Sequence, residues 1–121
     1  MSDALYRQFL DHFADDFFLH DDQGRILDVN AQACASLGYS KHELLRMCVQ
    51  DFAVNFESAV LISLWRSIAP DTNIVATNTH QRKDGTQFPV EVHISCQIYE
   101  GRKCFFTMAR DISERMRREE Q

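Results

Sequence analysis

Histidine and cysteine have the widest chemistry of any residues in this sequence: five imidazoles able to ligate metals or carry protons, and four thiols able to attack, ligate or cross-link. Their spacing is uninformative. His12, His20, His42, His80 and His93 are scattered with no pair at ligand spacing. Cys34, Cys48, Cys96 and Cys104 show neither C-x-x-C nor zinc-type spacing, and nothing points to an oxidising compartment, so free thiols are expected. A Cys–His nucleophile could be built around Cys34 or Cys96, but the residues give no reason to prefer one. The chain also lacks the G-x-x-x-x-G-K-[ST] and G-x-G-x-x-G phosphate loops, the H-E-x-x-H metal helix and the G-x-S-x-G elbow. Neither catalysis nor a metal site is expected. The clearest role left to polar side chains is capping: Asn30, Ser40, Glu43, Asp111 and Glu114 stand where an oxygen can accept a helix-start N–H.

The elements those residues would cap follow from hydrophobic periodicity, with Gly24, Gly38, Gly85 and Gly101 falling between patterned segments. Leu5, Phe9 and Phe13 recur at i, i+4, i+8 behind Ser2 or Asp3, which predicts an amphipathic helix over residues 3–14. "DFFLHDDQGRILDV" reads as a hairpin around a D-Q-G turn. Asn30 caps "AQACASL", and Gly38 closes it. Ser40 and Glu43 form a capping box, with Tyr39 and Leu44 placed as a hydrophobic staple. Phe56, Val60, Leu64 and Ile68 make an i+4 stripe with Leu61 and Trp65 beside it, predicting a longer helix over 56–68 that stops before Pro70.

From Asn73 the period becomes two. In "TQFPVEVHISCQIYE", Phe88, Val90, Val92, Ile94, Cys96 and Ile98 alternate with polar residues, so one face is buried, and the "KDG" and "YEG" turns make residues 74–110 an antiparallel meander. Pro89 belongs at a strand start, because it cannot donate to a ladder. An even-numbered turn centred on Glu100 and Gly101 would set Cys96 opposite Phe105 and Gln97 opposite Cys104, putting Cys96 and Cys104 on different faces and out of disulfide reach. The same register puts Phe106 and Met108 beside His93 and Ser95, on the face away from the main helices. Leu5, Phe9 and Phe13 are the candidates to cover them, from the same subunit or from a partner.

In this order the stretches "GRILDVNAQACASLGYSKHEL", "RKDGTQFPVEVHIS" and "RDISERMRREEQ" resemble the PAS domain family over nearly the whole chain, with Ser113 standing where that family's D-I-T element usually has Thr. The resemblance implies an α+β fold: a five-stranded antiparallel sheet with helices packed on one face. It further implies a sensory or dimerisation module of a bacterial signalling protein such as a histidine kinase of a two-component system, a diguanylate cyclase or phosphodiesterase, or a transcription regulator. On this reading residues 1–15 are a flanking helix, 16–111 the core, and 112–121 the start of a linker to an effector outside this chain. Asp111 and Glu114 would cap that linker from Ile112, and Ile112 with Met116 would begin a coiled-coil seam.

The resemblance also frames the cofactor question. Light-sensing members carry a reactive Cys in a G-x-N-C-R-F-L-Q stretch, whereas Cys48 in "MCVQDFAVN" lacks those neighbours; haem-binding members use a His on the long helix, and "FESAVLISLWRSI" has none. Flavin and haem are therefore disfavoured, leaving no cofactor or a small organic ligand. Such a ligand would meet Phe52, Leu61, Trp65, Ile74, Val92 and Cys96, which should converge between the long helix and the sheet.

With 121 residues, 45% hydrophobic and 26% charged, the chain is one domain's worth with an adequate core. No apolar run approaches a membrane span. The net charge of −5 argues against nucleic acid and anionic lipid, and the first residues do not resemble a secretory signal, so a cytoplasmic homodimer is the expectation. The alternatives are a module that only pairs subunits and, less favoured, a cofactor-dependent enzyme.

Overall fold

The computed structural model describes residues 3–120; Ser2, one of the two cap candidates for the first helix, lies outside them. Helix α1 (Asp3–Asp11) leads into strands β1 (Asp16–Asp21) and β2 (Ile26–Val29). Helices α2 (Ala31–Leu37) and α3 (Lys41–Leu44), a short 3-10 turn (Val49–Asp51) and helix α4 (Ser58–Ser67) follow. Strands β3 (Thr72–Gln81), β4 (Gln87–Tyr99) and β5 (Arg102–Asp111) and helix α5 (Ser113–Glu119) complete the chain. The strands form one antiparallel sheet in the order β2-β1-β5-β4-β3, as expected for the α+β arrangement.

Local chemistry explains the boundaries. Asn30 accepts the Ala33 N–H at the start of α2, and Gly38, at φ 81°, closes it in the left-handed region where a side chain is costly. The Ser40–Glu43 capping box forms as expected. Lys83, in the β3–β4 turn, sits 2.8 Å from Glu43 and, with the Ser40 backbone, holds its carboxyl down to about 2. Pro89 is the third residue of β4; its carbonyl accepts the Ile112 N–H beyond the end of the β4–β5 ladder, where a missing donor leaves no rung empty.

The β4–β5 register is the anticipated one: Cys96 faces Phe105, Gln97 faces Cys104, Ser95 faces Phe106 and His93 faces Met108. All four cysteines are free. The inward face of the sheet, including Phe18, Val90, Cys96 and Phe105, packs under the helices with Leu37, Leu44 and Phe52.

Two expectations need correcting. The buried face of α4 is Leu61 and Trp65, continued by Ile68, while Phe56, Val60 and Leu64 are 50, 51 and 42% exposed. The helix is apolar around most of its circumference, so an i+4 stripe could be drawn in two phases, and packing selects the one carrying tryptophan. At the C-terminus, Glu114 does not reach back to the helix start. It pairs with Arg118 at 3.2 Å, and α5 begins at Ser113 with no side-chain bond from Ile112. Ile112 is itself only 6% exposed, docked on its own domain, so it is unavailable to an intermolecular seam.

Candidate functional site

Beneath α4 the core is incompletely filled. A cavity of about 60 Å³ opens between α4 and the edge strand β3, with Leu61 and Trp65 as roof, Val92 and Ile94 of β4 as floor, and Phe56, Leu64 and Thr77 near its rim. Three polar side chains lie along the inner wall. His20 of β1 directs Nδ1 at the Asp21 carbonyl (2.9 Å) and Nε2 at the Thr107 hydroxyl (3.2 Å). A carbonyl can only accept, so Nδ1 carries the proton and Nε2 accepts from Thr107. His80 of β3 is 2% exposed, and its Nδ1 has no hydrogen-bond partner among the described residues. Burial lowers both imidazoles to about 4, so both are neutral near pH 7.

Aromatic contacts tie this wall together. His20 stacks on Phe105 (5.3 Å, 13°) and touches Trp65 (4.8 Å), while His80 meets Phe18, Phe52 and Phe88 edge to face. Trp65 is thus the point where α4 rests on β1 and β5. Across the turn before β2, Gly24 (φ 83°) lies so close to Gln50 and Trp65 that a Cβ there would be 2.8 Å from the indole.

A second cluster lies where the sheet hands over to α5. Asp111 Oδ1 accepts from the Ser113 N–H (2.8 Å) and hydroxyl (2.6 Å), while Oδ2 is 3.9 Å from Arg82. Arg82 spans the junction: it donates to the Ser36 carbonyl (3.1 Å) and lies over the Phe88 ring at 4.1 Å. Arg115 pairs with Glu91 of β4 at 3.2 Å. Close by, Asp16 is buried at the start of β1, and its carboxyl is pushed up to about 7, chiefly by burial, with Asp15 and Asp111 adding to the rise and Ser36 and Arg82 opposing it.

The outer sheet face is apolar. Phe106 is 36% exposed, Met108 is half-buried, and Phe17 lies 6.3 Å from Phe106. Helix α1 is anchored elsewhere: Arg7 donates both to the Asp28 carboxylate (2.7 Å) and to the Val29 carbonyl (2.8 Å), and Asn30 Nδ2 donates to the Leu10 carbonyl. Phe9 packs against Phe13 at 4.7 Å, yet Leu5 and Phe9 are 54 and 57% exposed.

Of the six residues expected to meet a ligand, Leu61, Trp65 and Val92 line the cavity. Phe52 and Cys96 are fully buried in the packed core, and Ile74 is partly buried on the edge strand. His20, Asn78, His80 and Thr107 were not anticipated. The alternation of "TNIVATNTHQ" carries a signal for part of this set, since it places Ile74, Ala76, Asn78 and His80 on one face. Among the described residues, no three His, Cys, Asp or Glu gather as a metal site, and no helix is long and apolar enough to cross a membrane.

Comparison with known proteins places this geometry. The sequence profile described as PAS domain matches residues 14–114. The methyl sulfide methyltransferase-associated sensor of Methanosarcina acetivorans is 29% identical over 119 residues, which is 98% of this chain and 12% of that protein. The PAS domain of an HTR-like protein from Haloarcula marismortui superposes with a TM-score of 0.85 at 27% identity, covering 90% of each chain. A domain of a sensory box sensor histidine kinase/response regulator from Geobacter sulfurreducens gives 0.76 at 25% identity, covering 89% of this chain and 92% of that one.

Proposed function

Because the chain belongs to the PAS domain family, we propose that it is a non-catalytic sensory and pairing module of a larger signalling protein, passing the state of its core or of a partner to an effector beyond α5. The junction of β5 and α5 carries this reading. Asp111 ends the strand that touches the cavity wall through Thr107 and also holds the first turn of α5 through Ser113. Ile112 and Arg115 fix the direction in which that helix leaves the sheet. A helix of seven residues is marginal alone in water, so its orientation has consequences only when something continues or pairs with it.

A sensor and a histidine kinase/response regulator among the relatives support a kinase-type output in preference to a cyclase or phosphodiesterase. A coupling of about 1 to 3 kcal/mol between core and output would change activity about 5- to 150-fold. The free thiols favour a reducing, cytoplasmic setting. Net charge gives no support to nucleic-acid or lipid binding. Flavin and haem are not part of this reading, since Cys48 lacks the neighbours of the light-sensing motif and α4 carries no His.

Fusion of the chain in helical register to a histidine-kinase catalytic region tests the relay. Asp111→Ala should change autophosphorylation severalfold while leaving the dimer intact. Unchanged activity in that variant would remove the relay.

A ligand-free pairing module is the second reading, favoured by the small cavity and by the exposed apolar residues of α1. It requires that deleting residues 1–14 abolish the dimer, and a dimer that survives the deletion sinks it.

A further inference from the structure

We propose that the junction between the sheet and α5 is operated by a proton: the buried carboxyl of Asp16 carries it while α5 is held, and its loss draws Arg82 off Asp111 and loosens the first turn of the helix. This rests on the sensory reading and names a signal for the same output junction.

Strand register brings the groups together. Asp16 opposes Ala109 in the β1–β5 ladder, and Asp111 lies two residues further along β5. The two carboxyl groups are therefore diagonal neighbours on the helix-covered face, at the ~7 to 8 Å usual for such pairs. Asp16 is 5% exposed and forms no ion pair among the described residues, whereas Asp15 is paired with Arg110 (3.1 Å) and Asp111 with Arg82 (3.9 Å). The other walls add no charge. Helix α2, "AQACASL", contributes the Ser36 side chain, and β4 sets Val90 opposite Asp111 and Val92 opposite Ala109. A buried carboxyl without a counter-ion, and with two carboxylates nearby, keeps its proton beyond the ordinary carboxylate range. Its rise to about 7 agrees with that placement.

Arg82 links this proton to α5. Its Nε donates to the carbonyl of Ser36, the residue whose side chain faces Asp16, while its contact with Asp111 is a single long one between partly exposed groups. Such a pair is weak. A full charge on Asp16 attracts the same guanidinium from a drier position, where the attraction is stronger, and repels Asp111. Asp111 then gives up the Ser113 N–H and hydroxyl, which it holds at 2.8 and 2.6 Å. A helix of seven residues has little to keep its first turn once that hold is lost. Rising pH through about 7 loosens α5, and falling pH secures it.

The test follows the Asp16 carboxyl carbon and the Ser113 and Arg115 amides of the 13C,15N-labelled chain by NMR from about pH 5.5 to about pH 8.5. The expected result is one shared midpoint near 7. Asp16→Asn, a close isostere, should abolish the Ser113 response, and Arg82→Gln should move the Asp16 midpoint upward. His93, whose Nε2 lies 3.2 Å from Glu91, the partner of Arg115, is another titratable group tied to α5, so His93→Gln should leave the Ser113 midpoint in place. The proposal is overturned if Asp16 titrates below about pH 5, if Ser113 does not follow Asp16, or if the Ser113 midpoint survives Asp16→Asn. The kinase fusion keeps the two readings apart. Output that responds to Asp111→Ala while Ser113 ignores Asp16 removes the proton control alone, and a Ser113 that follows Asp16 in a fusion indifferent to Asp111→Ala removes the relay alone.

Discussion

At the scale of single residues, the buried titratable groups pull in opposite directions. His20 and His80 are depressed to about 4, so each contributes stability that is complete above the unfolded value near 6.5 and is lost as pH falls toward 4. Asp16 is raised to about 7, so its contribution is complete below about 3.8 and is lost as pH rises toward 7. Near pH 5 to 5.5 the unfolded chain holds almost two imidazole protons that the native state lacks, and the native state holds one carboxyl proton that the unfolded chain lacks. The net of one proton makes stability rise by about 1.4 kcal/mol per pH unit from these groups. Asp16→Asn should steepen that rise to about 2.7 kcal/mol per unit and stabilise the protein at pH 8, as read from urea midpoints across the range; an unchanged slope would show that Asp16 does not titrate there. Asn30 is a second residue with more than one task. Besides capping α2 it accepts the Phe17 N–H and donates to the Leu10 and Asp15 carbonyls, so four bonds converge on one amide. Asn30→Ala should cost about 3 kcal/mol. Asn30→Asp, an equally good cap in isolation, should also destabilise, because its carboxylate would face two carbonyls; a harmless Asp variant in urea unfolding would reduce Asn30 to a cap.

At the scale of elements, how much the sequence reveals depends on whether a segment's pattern has one solution or two. Strand β4 alternates strictly and a tight turn joins it to β5, so their pairing can be written residue by residue and Phe106 and Met108 assigned to the outer face. The Ser40–Glu43 box was equally plain, because both partners are local. Helix α4 was ambiguous, since Phe56, Val60 and Leu64 compete with Leu61, Trp65 and Ile68, and only tertiary packing separates them. That separation predicts mutational asymmetry: Leu61→Ala should cost about 2 to 4 kcal/mol, whereas Val60→Lys should stay within about 0.5 kcal/mol in denaturant unfolding. The cavity wall was the least legible, because His20, His80 and Thr107 come from three strands that only the completed sheet brings together. The Arg82–Asp111 pair was hidden for the same reason.

At the scale of the whole molecule, besides the outer side of α4, apolar side chains lie exposed on the Leu5 and Phe9 side of α1 and on the outer sheet face around Phe106 and Val75. A symmetric dimer that sets α1 of one subunit on the sheet of the other would bury both. Phe9→Glu with Phe106→Glu should therefore yield a folded monomer by native mass spectrometry and circular dichroism, and a persisting dimer would move the interface elsewhere. The strand order has its own consequence for how the chain is made. The centre of the sheet, β5, is the last strand to leave the ribosome, and β1 can join β4 only through it. Until residue 111 has emerged, the β1–β2 hairpin and the β3–β4 hairpin are two separate pieces with no shared ladder, each marginal by itself in water. Folding must then wait for a contact between the two ends of the domain, a costly loop closure that makes its completion a late, single step rather than a strand-by-strand addition.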